Sequence, residues 1–186
     1  MTYVFLAGIG NSEPQHWQSL WFRALGGRWV EHADWDHPVA ADWVADLDAA
    51  LRDIAGPKTL VAHSLGCLLA VEWARQRGDA GRSAGVIGSF LVAPPDPRGP
   101  NWPATTVTGF AAATETAKPP LPALVVASTT DPYASLASAR AAAACWGAEL
   151  VDVGALGHIN LASGIGAWEP GRALFDDFVA RCSKRP

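Results

Sequence analysis

The sequence is short of several things whose scarcity narrows what it can be. Cysteine occurs three times, at Cys67, Cys145 and Cys182, widely spaced and odd in number. That suits neither a disulfide framework nor a zinc site built from paired ligands, and a reducing compartment is the simpler setting. No apolar stretch is long enough to cross a bilayer. The N-terminus has no basic leader region, and its apolar run over residues 3–7 is too short for the core of a signal peptide. The expected location is therefore cytoplasmic, with no membrane partner. Lysine and arginine total 14 against 18 acidic residues, a formal net charge of -4 at pH 7. These basic residues form no stripe or patch that could follow a phosphate backbone, so nucleic acid is not an expected partner. Internal repeats are absent, and apart from an alanine bias so is low complexity.

What is present fits one ordinary domain. The 186 residues, 49% of them hydrophobic, suffice for a substantial core over 1–186 and leave no room for a second full domain. Residues 2–7 read as a strand buried on both faces, followed by the glycine-bearing loop 8–11. Ser12 or Glu13 with Pro14 opens a helix over 15–25, stopped by Gly26 and Gly27. A short β segment at 28–32 precedes an amphipathic helix over 39–54, ended by Gly56 and Pro57. Further strands are expected at 58–62, 85–93, 123–128 and 149–153, and helices at 68–77, 135–146 and 169–182. Six strands alternating with five helices predict an α/β protein of three layers, a doubly wound, parallel, six-stranded sheet with no large lid domain. One segment breaks the rhythm. Residues 94–122, rich in proline and threonine, are too long for a plain connection and read as a functional loop or small cap.

The strand at 58–62 runs straight into His63-Ser64-Leu65-Gly66 and then a helix. A serine on so sharp a turn is lifted clear of both elements, beside the amides of a helix N-terminus. The usual pattern is Gly-x-Ser-x-Gly; here Ala62 replaces the first glycine. Two residues fall just after later strands, where such sheets carry their sites. They are Asp131, in Ser-Thr-Thr-Asp-Pro-Tyr, and His158, in Gly-His-Ile-Asn. Ser64, Asp131 and His158 follow the chain order of α/β-hydrolases. The chemistry needs a hydroxyl to attack, an imidazole to take its proton and a carboxylate to fix the tautomer. The backbone amides of Leu65 and Ile9 are the expected oxyanion donors, with Gly8 and Gly10 letting the first loop approach. No metal or other cofactor is required.

Each residue also has a quieter reading. Ser64 would serve as a helix N-cap, and Asp131 before Pro132 as another. Asp96 is the rival acid. His63, next to the serine, points away from it and is expected to pack or bond locally. His16 either helps position the first loop or caps its helix. His32, His37, Asp34 and Asp36 resemble a metal cluster but are expected to be solvated. Cys67 reads as a small core residue. Of nine tryptophans, Trp17, Trp21, Trp102 and Trp168 sit in or beside loops, where large aromatics line pockets.

Several of these motifs together resemble one known family. They are the first-strand loop followed by His16-Trp17, the elbow 63–66, residues 128–133, Trp146-Gly147-Ala148, Gly157 to Asn160 and Gly164-x-Gly166-x-Trp168. The chain is similar over nearly its whole length to the small serine hydrolases related to the retinoblastoma-binding serine hydrolase. The resemblance implies a minimal α/β-hydrolase lacking two leading antiparallel strands, with the triad on Ser64, Asp131 and His158. Ala62, and Thr130 where the family often carries a second acid, are departures that leave the triad intact. The expected activity is hydrolysis of carboxylic esters, thioesters or amides of small to medium acyl substrates through an acyl-enzyme on Ser64. His16, Trp17, Trp102 and Ile159 are the expected substrate contacts. The alternative is a protein-binding module on the same scaffold with little turnover, its partner docking on the tryptophan-rich loops. A third reading is acyl transfer to an alcohol or peroxide.

Overall fold

The structure, a computed structural model, describes residues 1–78, 80, 84–114 and 121–184. Six strands form one sheet: β1 (Thr2–Leu6), β2 (Arg28–Trp29), β3 (Lys58–His63), β4 (Val86–Val92), β5 (Ala123–Ala127) and β6 (Glu149–Asp152). Every pairing is parallel, and the spatial order is β2-β1-β3-β4-β5-β6. The central strands β3, β4 and β5 are buried almost throughout, which is why they read as unbroken apolar runs. The edge strands β2 and β6 are short and half exposed, as edges need to be to avoid pairing with other chains.

Alternate residues of the strands feed two cores. Val4, Leu6, Leu60, Ala62 and Leu91 point to one face, against α2 (Ala40–Arg52), α3 (Leu65–Arg77) and α4 (Leu136–Trp146). Phe5, Val61, Phe90 and Val92 point to the other, against α1 (Trp17–Leu25) and α5 (Glu169–Cys182). The period of two along each strand thus produces the three layers. The chain winds outward from β1 to β2 and then crosses back to β3. The order reverses between β1 and β3, and a crevice opens at their carboxyl ends. No helix among the described residues is long and apolar enough to cross a membrane.

Several boundaries shift by a residue or more from expectation, and three of the shifts bear on the site or the core. The first helix starts at Trp17 rather than 15, because His16 caps it from an extended backbone conformation. The second strand stops at Trp29 because the chain then turns inward, burying Val30 and His32. Helix α3 starts at Leu65, directly after the serine. The segment after β4 is packed rather than free, though residues 115–120 of it lie outside the described residues. Thr108 bridges to Val39, its amide donating to the Pro38 carbonyl at 3.0 Å. Phe110 is wholly buried in the core. The Trp146 indole N–H donates to the Ala113 carbonyl at 2.8 Å, tying the segment to α4.

Candidate active site

Ser64 joins β3 to α3 with φ 54° and ψ -125°, a left-handed conformation that costs a non-glycine residue of order 1–3 kcal/mol. The surroundings leave it no alternative. Its amide donates to the Val92 carbonyl at 3.0 Å, and its carbonyl accepts from the Cys67 amide at 2.9 Å. Gly66 holds α3 against β1 so tightly that a Cβ there would lie 2.3 Å from the Leu6 carbonyl oxygen. Although Ser64 occupies the N-cap position, its side chain makes no cap bond. Its Oγ lies 2.9 Å from Nε2 of His158 instead.

His158 sits in a loop whose neighbours Gly157 and Ile159 both have positive φ. Its amide donates to Ser163 Oγ at 3.0 Å, which fixes the loop. Its Nδ1 lies 3.0 and 2.9 Å from the two carboxylate oxygens of Asp131. A carboxylate only accepts, so Nδ1 carries the proton and Nε2 is left as acceptor for the serine hydroxyl. Asp131 does not cap a helix: α4 begins later, capped by Ser135, and Asp131 Oδ1 accepts from the Tyr133 amide at 2.9 Å in a local turn. The rival Asp96 faces its own turn, with Oδ1 accepting from the Arg98 amide at 2.9 Å. Three loops after three different strands thus bring Ser64, His158 and Asp131 into one hydrogen-bonded row.

Two more imidazoles lie beside that row. His63 has its Nε2 2.9 Å from the His158 carbonyl and its ring centroid 4.9 Å from the His158 ring. Burial, reinforced by the nearness of His158 and His16, holds its pKa well below the ordinary value. His16 lies 4.8 Å from His63, centroid to centroid, and burial lowers its pKa to about 4, with His158 adding to the effect. Both rings are neutral at pH 7. They add no positive charge beside the His158 ring.

The row opens into a cleft of about 490 Å³, within the range of small-ligand sites. Ile9 and Leu65, the expected oxyanion residues, both line it. A side chain at position 8 would push the loop away: a Cβ there would lie 2.8 Å from Ser64 Cβ and 3.4 Å from the Leu65 nitrogen. The first loop therefore passes hard against the elbow. His16 and Trp102 line the cleft as expected.

Trp17 and Ile159 do not line it, which corrects their assignment as substrate contacts. Trp17 is wholly buried, its indole N–H donating to the Ile159 carbonyl at 3.0 Å, and Ile159 is equally buried. Trp17 also packs with Trp21 and Trp168, so these three tryptophans are core rather than pocket. His32 is likewise not solvated. It stacks on Trp43 at 3.9 Å and lies 2.7 Å from Asp46. Its apparent partners His37 and Asp34 form a separate exposed pair. Cys67 is buried, its thiol donating to the Val92 carbonyl, and burial pushes its pKa well up.

Sequence reasoning missed Asn101, Tyr133 and Asn160 in the lining. Tyr133 stands edge-on to His158 at 4.6 Å. Position just after a strand was the available signal for Tyr133, since it follows Asp131 by two residues. Gln18 was missed as well. Buried under the site, its amide donates to the carbonyls of Leu6 and Val61 at 3.0 Å each, clamping β1 to β3 where the crevice opens. No periodicity marks such a residue. Among the described residues no group of three or more His, Cys, Asp or Glu is arranged to hold a metal ion.

Solved structures share this architecture. A YdeN-like hydrolase from Pectobacterium atrosepticum is 30% identical, with a TM-score of 0.83 over 97% of this chain and 91% of that one. The ydeN gene product of B. subtilis is 18% identical, with a TM-score of 0.71 over 97% of this chain and all of that one. A monoacylglycerol lipase from Paleococcus ferrophilus shares the fold at 13% identity, with a TM-score of 0.70 over 96% of this chain and 93% of that one. No curated protein matches the chain in sequence. The pattern that defines the serine hydrolases matches residues 3–177, and with it the chain belongs to the serine hydrolase family, in the minimal α/β-hydrolase fold.

Proposed function

We propose that the protein hydrolyses carboxylic esters or thioesters of small to medium substrates through an acyl-enzyme on Ser64. One observation carries this reading: the unbroken row from Ser64 Oγ through His158 to Asp131, opening into a cleft. His158 Nε2 takes the hydroxyl proton as Oγ attacks the carbonyl carbon. The oxyanion forms against the amides of Leu65 and Ile9. The imidazolium then gives its proton to the leaving alcohol or thiol, leaving the acyl group on Oγ. Water, deprotonated by the same nitrogen, releases the acid and restores the serine. Asp131 holds the ring in the tautomer that leaves Nε2 free and stabilises its cationic form.

The solved structures of like fold include an esterase from Thermogutta terrifontis and a type II thioesterase named BorB. Both point toward oxygen and sulfur esters ahead of amides. Trp102, Pro103, Pro95 and Tyr133 give one part of the cleft an apolar character suited to an acyl or aromatic group. A fluorophosphonate probe is expected to label the wild-type protein and not Ser64→Ala, with p-nitrophenyl butyrate hydrolysis lost in parallel. Equal labelling of the two proteins overturns the assignment. Labelling without turnover favours a binding module on a hydrolase scaffold.

A further inference from the structure

The parallel ladder between β5 and β6 stops short of the site. The Val153 amide donates to the Ala127 carbonyl at 3.0 Å and the Thr129 amide to the Gly154 carbonyl at 2.9 Å, and among the described residues the backbone pairing ends there. The acid and the base both lie farther on, Asp131 two residues past the last rung and His158 four residues past it. Left at that, they would ride on two separate turns.

Two hydroxyls carry the pairing onward. The Leu156 amide donates to Ser128 Oγ at 2.9 Å, sharing its proton with the Gly154 carbonyl at 3.2 Å, and the Gly157 amide donates to Thr130 Oγ1 at 3.0 Å. Ser128 Oγ, on a residue 1% exposed, also accepts from the Thr130 amide at 3.3 Å and lies 3.5 Å from Thr130 Oγ1. That last pair closes a local turn of the kind serine makes by default, but the bonds to Leu156 and Gly157 span 28 and 27 residues. Thr130 directly precedes Asp131, and Gly157 directly precedes His158. One bond therefore joins the residue before the acid to the residue before the base. The other holds on the base loop, Ser163 Oγ on the His158 amide and the Trp17 indole on the Ile159 carbonyl, come from elsewhere in the chain and do not tie it to the acid's loop. The geometry at stake is narrow: His158 Nδ1 lies 3.0 and 2.9 Å from the Asp131 oxygens and Nε2 lies 2.9 Å from Ser64 Oγ. A slip of about 1 Å between the loops would spoil both contacts without disturbing the sheet.

We propose that Thr130 and Ser128 are positioning residues of the triad, whose hydroxyls set the register of the base loop against the acid loop. The proposal rests on acyl transfer at Ser64, and its test separates the two. Thr130→Val keeps the shape of the side chain and removes the acceptor. With p-nitrophenyl butyrate its kcat should fall about tenfold, KM should stay within about twofold, and the melting temperature should stay close to wild type. Thr130→Ser returns a hydroxyl and should recover kcat to within about threefold of wild type. The readout that a purely structural role would not move is the low-field proton resonance of His158 Nδ1–H bonded to Asp131. It should be sharp in the wild type and in Thr130→Ser, and shifted upfield or broadened in Thr130→Val. Ser128→Ala should show the same loss of kcat with a lowered melting temperature, because two amides lose a buried acceptor. Wild-type kcat and an unmoved resonance in Thr130→Val overturn the proposal, and so does a Thr130→Ser protein that behaves like Thr130→Val. A wild type that reacts with neither fluorophosphonate nor ester, while its resonance still moves in Thr130→Val, overturns the acyl-enzyme and leaves the positioning role standing.

Discussion

At the scale of single residues, the rings of His16, His63 and His158 follow one another with centroids 4.8 and 4.9 Å apart, each held by different partners. His158 has a carboxylate on one nitrogen and a hydroxyl on the other. Asp131→Asn should lower kcat roughly 10³- to 10⁴-fold with little change in KM, because an amide can stabilise the wrong tautomer and cannot balance the imidazolium. Asp96→Asn should leave kcat within about twofold, a comparison of steady-state rates that decides between the two acids. His16 and His63 are neutral in the folded protein because burial depresses their pKa. Between the unfolded value near 6.5 and the folded value of about 4 for His16, the unfolded chain binds more protons than the native one. The contribution of His16 to stability is thus intact above about pH 6.5 and is lost as pH falls toward 4. Urea midpoints measured from pH 8 to pH 4.5 should fall across this window, and His16→Asn should flatten part of the slope.

At the scale of elements, the elbow works because two glycines let three pieces of chain approach within side-chain distance. Gly66→Ala sets a methyl 2.3 Å from a β1 carbonyl oxygen that cannot move without breaking the sheet, and should cost about 3 kcal/mol or more in a urea titration. Gly8→Ala meets Ser64 Cβ at 2.8 Å, a contact that a shifted loop can relieve. Its expected signature is a kcat lowered about 10²-fold by displaced oxyanion donors, with a melting temperature close to wild type. Ala62 makes a different point. It pairs with Leu6 in the middle of the sheet and is fully buried, so the glycine usual there is not needed for backbone freedom. The strands legible in sequence were β1, β3, β4 and β5, whose two buried faces make unbroken apolar runs. The extent of β2 was not, because its end depends on Val30 and His32 turning into a core contributed by α2.

At the scale of the whole molecule, the sheet brings together loops that are far apart in sequence, and the packed segment after β4 completes one side of the cleft. That segment is anchored by Phe110, wholly buried against Trp43 in the core between the sheet and α2. Phe110→Ala should cost about 3–5 kcal/mol, read from chemical denaturation, and should raise KM through Trp102, which rides on the same segment and lines the cleft. The sequence by itself determined the parallel α/β architecture and the positions of Ser64, Asp131 and His158 on loops after strands. Both follow from local signals: periodicity, glycine and proline punctuation, and the chain order of a few polar residues. Tertiary structure alone decided which tryptophans face the cleft and which the core, that the His16 ring is buried beside His63, and that Gln18 clamps β1 to β3. A side chain's burial depends on which other elements reach it, and those elements come from distant parts of the chain. Trp17 and Trp102 look alike in sequence, but one packs on Trp21 and Trp168 in the core and the other lines the cleft.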